Sequence, residues 1–230
     1  MDTSRPVGNL SLVLLKNMHM HGFVKWSPEP FTLKSRKSHV YVFGREDVTD
    51  NINFLHLLGR EIVNAVQLVC ANDQRIPCFI GIPTAGTPLA QAASMASYFE
   101  PASFKKPIDL RTMCFRIMRE KRKEHGAHNG WVNGAPDVAK HLYCVVDNVV
   151  TDGQSKVEAA ERLLEDSYPA YDMPQIILVA REWRVVEELK KRGFKHVVVL
   201  FTLRDIINGF RERGYWTPEM AEQALSEFAE

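Results

Sequence analysis

Short apolar runs with no polar break, each followed by a helical pattern, constrain this chain more than any other feature. The runs YCVV at 143–146 and IILVA at 176–180 offer no alternating polar face. A strand of that kind needs cover on both sides, which is the condition of parallel sheets whose crossover helices pack on either face. The pattern recurs along the chain. Residues 77–82, 112–118, 141–147, 175–180 and 196–202 read as strands, and 51–69, 86–98, 155–164 and 185–191 as helices. The first helix carries Leu55, Leu58, Ile62, Ala65, Val66 and Val69 at helical spacing. The expected architecture is an α/β fold with a mostly parallel central sheet flanked by helices, binding its ligands outside the carboxyl ends of the strands.

Before the first core helix, FTLKSRKSHVYVF at 31–43 reads as two extended pieces joined by a polar turn. The segments 100–109 and 120–137 read as surface loops, the second long and polar. Thr217 and Pro218 have the character of an N-cap and first-turn proline for a terminal helix. With 230 residues against a prior of about 150 per domain, one elaborated domain is expected. It comprises an N-terminal hood segment 1–50, a core 51–207 and a C-terminal helical extension 208–230.

No apolar stretch approaches the ~20 residues of a membrane span. Asp2 and Arg5 ahead of a short helical pattern fit a secretory signal poorly, so the expected address is the cytoplasm. Cys70, Cys78, Cys114 and Cys144 form no C-x-x-C pair and read as small, reduced core residues. No protein-bound transition metal is expected. A formal net charge of +1 argues against wholesale nucleic-acid binding, although Arg116, Arg119, Lys121, Arg122 and Lys123 form a local basic run.

The segment CVVDNVVTDGQSK at 144–156 carries the chemistry. A strand entering a turn of small polar residues and then a helix offers backbone N–H groups at a positive helix terminus, which suits a phosphate monoester. Asp147 stands where it would meet sugar hydroxyls. Neither G-x-x-x-x-G-K-[ST] nor G-x-G-x-x-G occurs, which weakens nucleoside-triphosphatase and dehydrogenase readings.

A strand, an acidic pair (Asp147 and Asn148 here), two apolar residues, Thr and then Gly within a small polar turn resembles the phosphoribosyl-pyrophosphate motif of type I phosphoribosyltransferases. Three further segments are similar to those of the orotate phosphoribosyltransferases within them. FTLKSRKSHVYVF resembles the N-terminal substrate segment, GIPTAGTPLA the pyrophosphate loop, and FRIMREKRKEHG the basic catalytic loop. The resemblance runs in order from about Phe31 to Ile207.

It implies transfer of a phosphoribosyl group from phosphoribosyl pyrophosphate to orotate, with magnesium bound to the pyrophosphate. Thr151, Asp152, Gly153, Gln154 and Ser155 would cradle the 5-phosphate, and Asp147 and Asn148 would contact the ribose. Thr84, Ala85 and Gly86 would wrap the pyrophosphate. Arg119, Lys123 and His125 would meet its developing charge from a loop donated by the partner subunit of a homodimer. Lys34 and Arg181 would bind orotate, with Tyr41 beside the base.

Departures from the family pattern are Asn148 in the acidic pair, Ala85 for a common Lys, Glu120 for a basic residue, and Val42 where a second aromatic is usual. A phosphoribosyltransferase for another base, or a non-catalytic sensor of phosphoribosyl pyrophosphate, stand as alternatives. Read without the resemblance, the basic run is a solvated surface.

Overall fold

The computed structural model of the protein describes residues 5–33, 36–69, 72–100, 113–122, 125 and 129–228. The elements in chain order are α1 (Leu12–Met20), β1 (Val24–Thr32), β2 (Lys37–Val42), α2 (Glu46–Thr49), α3 (Ile52–Val69), β3 (Ile76–Gly81), α4 (Gly86–Phe99) and β4 (Cys114–Ile117). They continue with β5 (His141–Val150), α5 (Gln154–Glu165), β6 (Gln175–Ala180), α6 (Arg184–Lys191), β7 (Val197–Thr202), α7 (Leu203–Glu212) and α8 (Pro218–Leu225). Five strands form one sheet in the order β4-β3-β5-β6-β7, and every pairing is parallel. The expected architecture is borne out.

Strand alternation sorts the apolar residues between two cores. Phe79, Cys144, Val146 and Leu178 face one side, where they meet α3, α4 and α7. Cys78, Ile80, Tyr143, Val145 and Ile177 face the other, under α5 and α6. Burial on both faces is why these strands need no polar alternation. At the outer side of β7 the N–H groups of Val7 and Gly8 donate to the carbonyls of Val199 and Leu200 at 3.0 and 2.9 Å.

Strands β1 and β2 form a separate antiparallel pair, and β1 starts at Val24, well before the expected extended segment. Pro28 and Pro30 obscured that start. The strand tolerates them because its register shifts between Trp26 and Phe31, leaving this stretch outside the regular ladder. The expected strand at 141–147 also runs on to Val150, since Val149 and Val150 continue to pair with Val179 and Ala180. Asp147 therefore sits inside β5, and not at its end.

Cys78 and Cys114 are register partners on β3 and β4, and their thiols are hydrogen-bonded. That bond, then burial, pushes the Cys78 thiol up. The same bond, helped by Arg116 and Lys140 against burial, lowers the Cys114 thiol to about 7. Because the thiolate is the nucleophile, alkylation at the half-buried Cys114 is expected to rise with pH through about 7 while the fully buried Cys78 and Cys144 stay unreacted. Peptide mass mapping after iodoacetamide treatment across this range checks it. A profile with the midpoint of an ordinary thiol would contradict the assignment.

Candidate active site

The carboxyl ends of β3, β5 and β6 open into one cavity of about 680 Å³, roofed by the β1–β2 pair and the segment that follows it. Its walls include Phe31, Tyr41 and Phe43 from the roof, Pro83, Thr84 and Ala85 after β3, Asp147 to Val149 with Thr151, Asp152 and Ser155 around the end of β5, and Arg181 after β6.

After β5 the chain turns at Gly153, whose φ of +76° lies in the left-handed region. A Cβ there would also stand 2.8 Å from Leu189 Cδ2. The turn delivers the chain into α5, a helix of 12 residues, with its N-terminus toward the cavity. Asp152 Oδ1 accepts the Gln154 N–H at 3.0 Å, so this side chain caps the turn itself. The hydroxyls of Thr151 and Ser155 stand on the cavity wall. An oriented helix terminus with adjacent hydroxyls is a binding place for an anion.

After β3 the chain enters α4 almost without a loop. A Cβ on Gly81 would lie 2.2 Å from the Gly86 carbonyl oxygen, and one on Gly86 would lie 2.3 Å from that of Val146. Three backbone segments thus touch directly, which fixes Pro83, Thr84 and Ala85 at the rim; the Pro83–Thr84 peptide is cis.

Beneath the site lies a buried ion pair. Asp147 is 7% exposed and Lys156 1%. Lys156 Nζ donates to Asp147 Oδ2 at 2.5 Å, to the Val149 carbonyl at 2.6 Å and to Ser155 Oγ at 3.2 Å, which uses all its protons. Asp147 Oδ1 accepts the Asn148 N–H at 2.8 Å. Asn148 points its amide toward the roof, where a Cβ on Gly44 would meet Nδ2 at 2.2 Å.

Arg181 is 5% exposed, with Nη1 and Nη2 donating to the Val40 carbonyl and Nη2 also to Ser38 Oγ at 2.7 Å. Burial, with the nearby Arg36 acting in the same sense, pulls its guanidinium down to about 10 against the opposing Glu227 and Glu182.

Solved structures share this arrangement of sheet and helices. The chain superposes on Leishmania donovani UMP synthase with a TM-score of 0.69 at 19% identity, covering 95% of this chain and 42% of that one. It superposes on the orotate phosphoribosyltransferase of Francisella tularensis with a TM-score of 0.65 at 15% identity, covering 97% of each. The chain has the type I phosphoribosyltransferase fold. Over 186 residues it is 27% identical to an orotate phosphoribosyltransferase of Nostoc sp., covering 80% of each protein, so the resemblance read from the sequence is borne out. No family model matches the chain.

Within this phosphoribosyltransferase fold, Tyr41, Thr84, Ala85, Asp147, Asn148, Thr151, Asp152, Ser155 and Arg181 meet on one cavity. Gly86 and Gly153 are buried behind its walls. The Gln154 side chain turns along the helix to Glu158 at 3.2 Å and so points away from the site. Lys34 and Lys123 lie outside the described residues.

Neither Arg119 nor His125 lines the cavity. Among the described residues of the expected polar loop the chain doubles back on itself. Arg119 and Trp131 are backbone partners, Met118 bridges Val132, and Arg119 Nη1 donates to the Gly130 carbonyl. This arm rests on the far end of α5, with Trp131 Nε1 donating to Glu165 at 2.8 Å and the Val132 N–H to Asp166 at 2.8 Å. His125 is exposed.

Two corrections concern the walls. Tyr41 and Val42 both line the cavity, but Tyr41 is not its lone aromatic, because residues two apart on an extended strand share a face and Phe43 follows Tyr41. Val42 packs into the core, while Tyr41 stacks with Phe43 at 4.5 Å and Phe31 at 5.5 Å, so three aromatics form the wall. The other is Lys156, which went unnoticed although it falls on the buried stripe of α5 with Ala159, Ala160 and Leu163. A lysine at the first position of such a stripe was the signal.

Proposed function

We propose that the chain is an orotate phosphoribosyltransferase, displacing pyrophosphate from carbon 1 of phosphoribosyl pyrophosphate by a ring nitrogen of orotate to give orotidine monophosphate. The observation that carries this reading is the single cavity joining the anion-binding turn before α5, the Thr84 rim and the Arg181 and aromatic wall.

The 5-phosphate binds at 151–155, held by the turn's N–H groups, the hydroxyls of Thr151 and Ser155 and the positive end of α5, with the Lys156 charge behind it. The ribose lies along Asp147 and Asn148. Since Lys156 takes one oxygen of Asp147 and the Asn148 N–H the other, this chain offers the sugar an almost neutral surface where two carboxylates would offer a negative one.

Pyrophosphate leaves past Thr84 and Ala85. The base stacks on the Phe31, Tyr41 and Phe43 wall, with Arg181 and Lys34 as its polar contacts. Sites built to hydrogen-bond a substrate's polar groups reject analogues lacking them by up to roughly 10⁴-fold.

Among the described residues no group of three or more His, Cys, Asp or Glu could hold a metal. The cavity carboxylate nearest the ribose already serves Lys156. Magnesium would come with the substrate, as the complex of its pyrophosphate, and would neutralise charge on the leaving group.

In a single chain Arg119 and His125 do not line the cavity. This supports the reading in which a second copy of the chain supplies the basic groups. Placing those groups against the leaving group is the main chemical task, because charge builds there in the transition state.

The test is to offer orotate, uracil, hypoxanthine and adenine in turn with magnesium phosphoribosyl pyrophosphate and follow pyrophosphate release. Turnover with orotate alone supports the reading. Turnover with another base, or binding with no turnover, replaces it with a different transferase or a sensor.

Glu120 gives a sharper check. Its Oε1 accepts the Thr84 hydroxyl at 2.6 Å, placing a carboxylate on the rim where pyrophosphate is to bind. Removing a charge-assisted bond that the ligand must break, Glu120→Gln is expected to tighten phosphoribosyl pyrophosphate binding by about tenfold. Calorimetric titration measures it, and unchanged affinity would show that the carboxylate does not compete.

A further inference from the structure

The end of the chain reaches back into the base subsite. Helix α8, capped by Thr217, buries Ala221 and Ala224, and the residues after it pack on the roof with Phe228 5% exposed. Arg204 Nη2 donates to the Phe228 carbonyl at 2.7 Å and holds this segment to α7. Glu227 then points inward. Its Oε1 accepts the His39 N–H at 2.5 Å and its Oε2 the Ser38 hydroxyl at 2.5 Å.

Ser38 is 1% exposed and also accepts from Arg181 Nη2, so one buried oxygen links the carboxylate to the guanidinium. The direct separation from Glu227 Oε2 to Arg181 Nη2 is 3.9 Å. Both terminal nitrogens of Arg181 are thereby committed to β2, whereas its Nε is buried with no partner. A buried donor left without an acceptor costs free energy, and Arg181 lies on the cavity wall.

We propose that Glu227 is a positioning residue of the base subsite. Through Ser38 and β2 it fixes Arg181 with Nη1 and Nη2 both engaged and Nε as the nitrogen without a partner, matched to a ring carbonyl oxygen of a planar heterocycle. Resting on the transferase reading above, this assigns base selection in part to a segment 46 residues further along the chain than Arg181, from 181 to 227. Glu227 touches no substrate. Its work is to keep the guanidinium from rotating.

The experiment compares wild type, Glu227→Ala, Ser38→Ala and the double variant. Glu227→Ala is expected to raise KM for orotate about tenfold, with KM for phosphoribosyl pyrophosphate within about twofold. Because both residues act through one link, the double variant should be no worse than the worse single one. Equal changes in both KM values, or multiplying effects, would overturn the proposal.

A second readout does not need turnover. In ¹⁵N NMR the Arg181 Nε–H, assigned by its loss in Arg181→Lys, should exchange slowly with water in wild type and fast in Glu227→Ala. Exchange unaffected by Glu227→Ala would overturn the positioning role even in an active enzyme. A wild-type protein inactive on every base but showing the expected exchange would overturn the transferase reading and leave the positioning role standing.

Discussion

Lys156→Met is expected to destabilise the folded chain by about 3–5 kcal/mol, the cost of leaving a buried carboxylate without its counter-charge. Asp147 is only 7% exposed in its place inside β5, and the Val149 carbonyl and Ser155 hydroxyl lose the same donor. Asp147→Asn should cost a similar amount, because it strands the ammonium instead.

The double variant Asp147→Asn with Lys156→Met removes both charges and should recover most of the loss, giving a large coupling in a double-mutant cycle. Urea unfolding midpoints at constant m-value measure this. Costs that simply add would mean that the two groups do not depend on each other. Binding of phosphoribosyl pyrophosphate should not recover in the double variant, since Ser155 would have lost the ammonium that fixes it behind the phosphate turn. A recovery of binding would place the phosphate elsewhere.

Lys123→Ala is expected to lower kcat by about 10²-fold, the scale set by removing one donor to developing transition-state charge. Affinity for phosphoribosyl pyrophosphate should change by only about twofold, since an interaction made in the transition state alone alters kcat and kcat/KM together. Steady-state kinetics alongside equilibrium titration separate the two quantities. A parallel loss in both would make Lys123 a ground-state phosphate contact and shift the chemical burden to Arg119 and His125.

Mixing this variant with Arg181→Ala tests whether one copy of the chain serves another. If the arm acts in trans, mixed assemblies of two inactive chains regain part of the activity. Silence on mixing would keep the arm with its own cavity.

How much of this was legible before the structure follows from physical range. Strands such as IILVA declare themselves because burial on both faces forbids polar residues, and the helices follow from spacing alone. The turn between β5 and α5 was readable because Thr151, Asp152 and Ser155 are small and polar and Gly153 takes a positive φ.

What escaped depends on partners distant in sequence. Phe43 joins Tyr41 on the cavity wall once the strand's alternation is fixed by its pairing with β1, for which Val24 is the register partner of Val42. Asp147 looks like a strand-end acid until Val149 and Val150 are seen to pair with β6. Lys156 looks like a surface lysine until the buried face of α5 is known. Nothing local marks Glu227, whose bond to Ser38 spans 189 residues of sequence.

Residues 7 and 8, which hydrogen-bond along β7, have a role unrelated to chemistry. They occupy carbonyls on one flank of the sheet beside the run VVVLF, while the opposite flank is the four-residue β4, which carries the charged Arg116. A form shortened past Gly8 would expose backbone acceptors next to β-branched residues, a template for adding strands from other molecules. The lead-in segment thus guards the protein against self-aggregation, and its removal should show as concentration-dependent light scattering before any change in turnover.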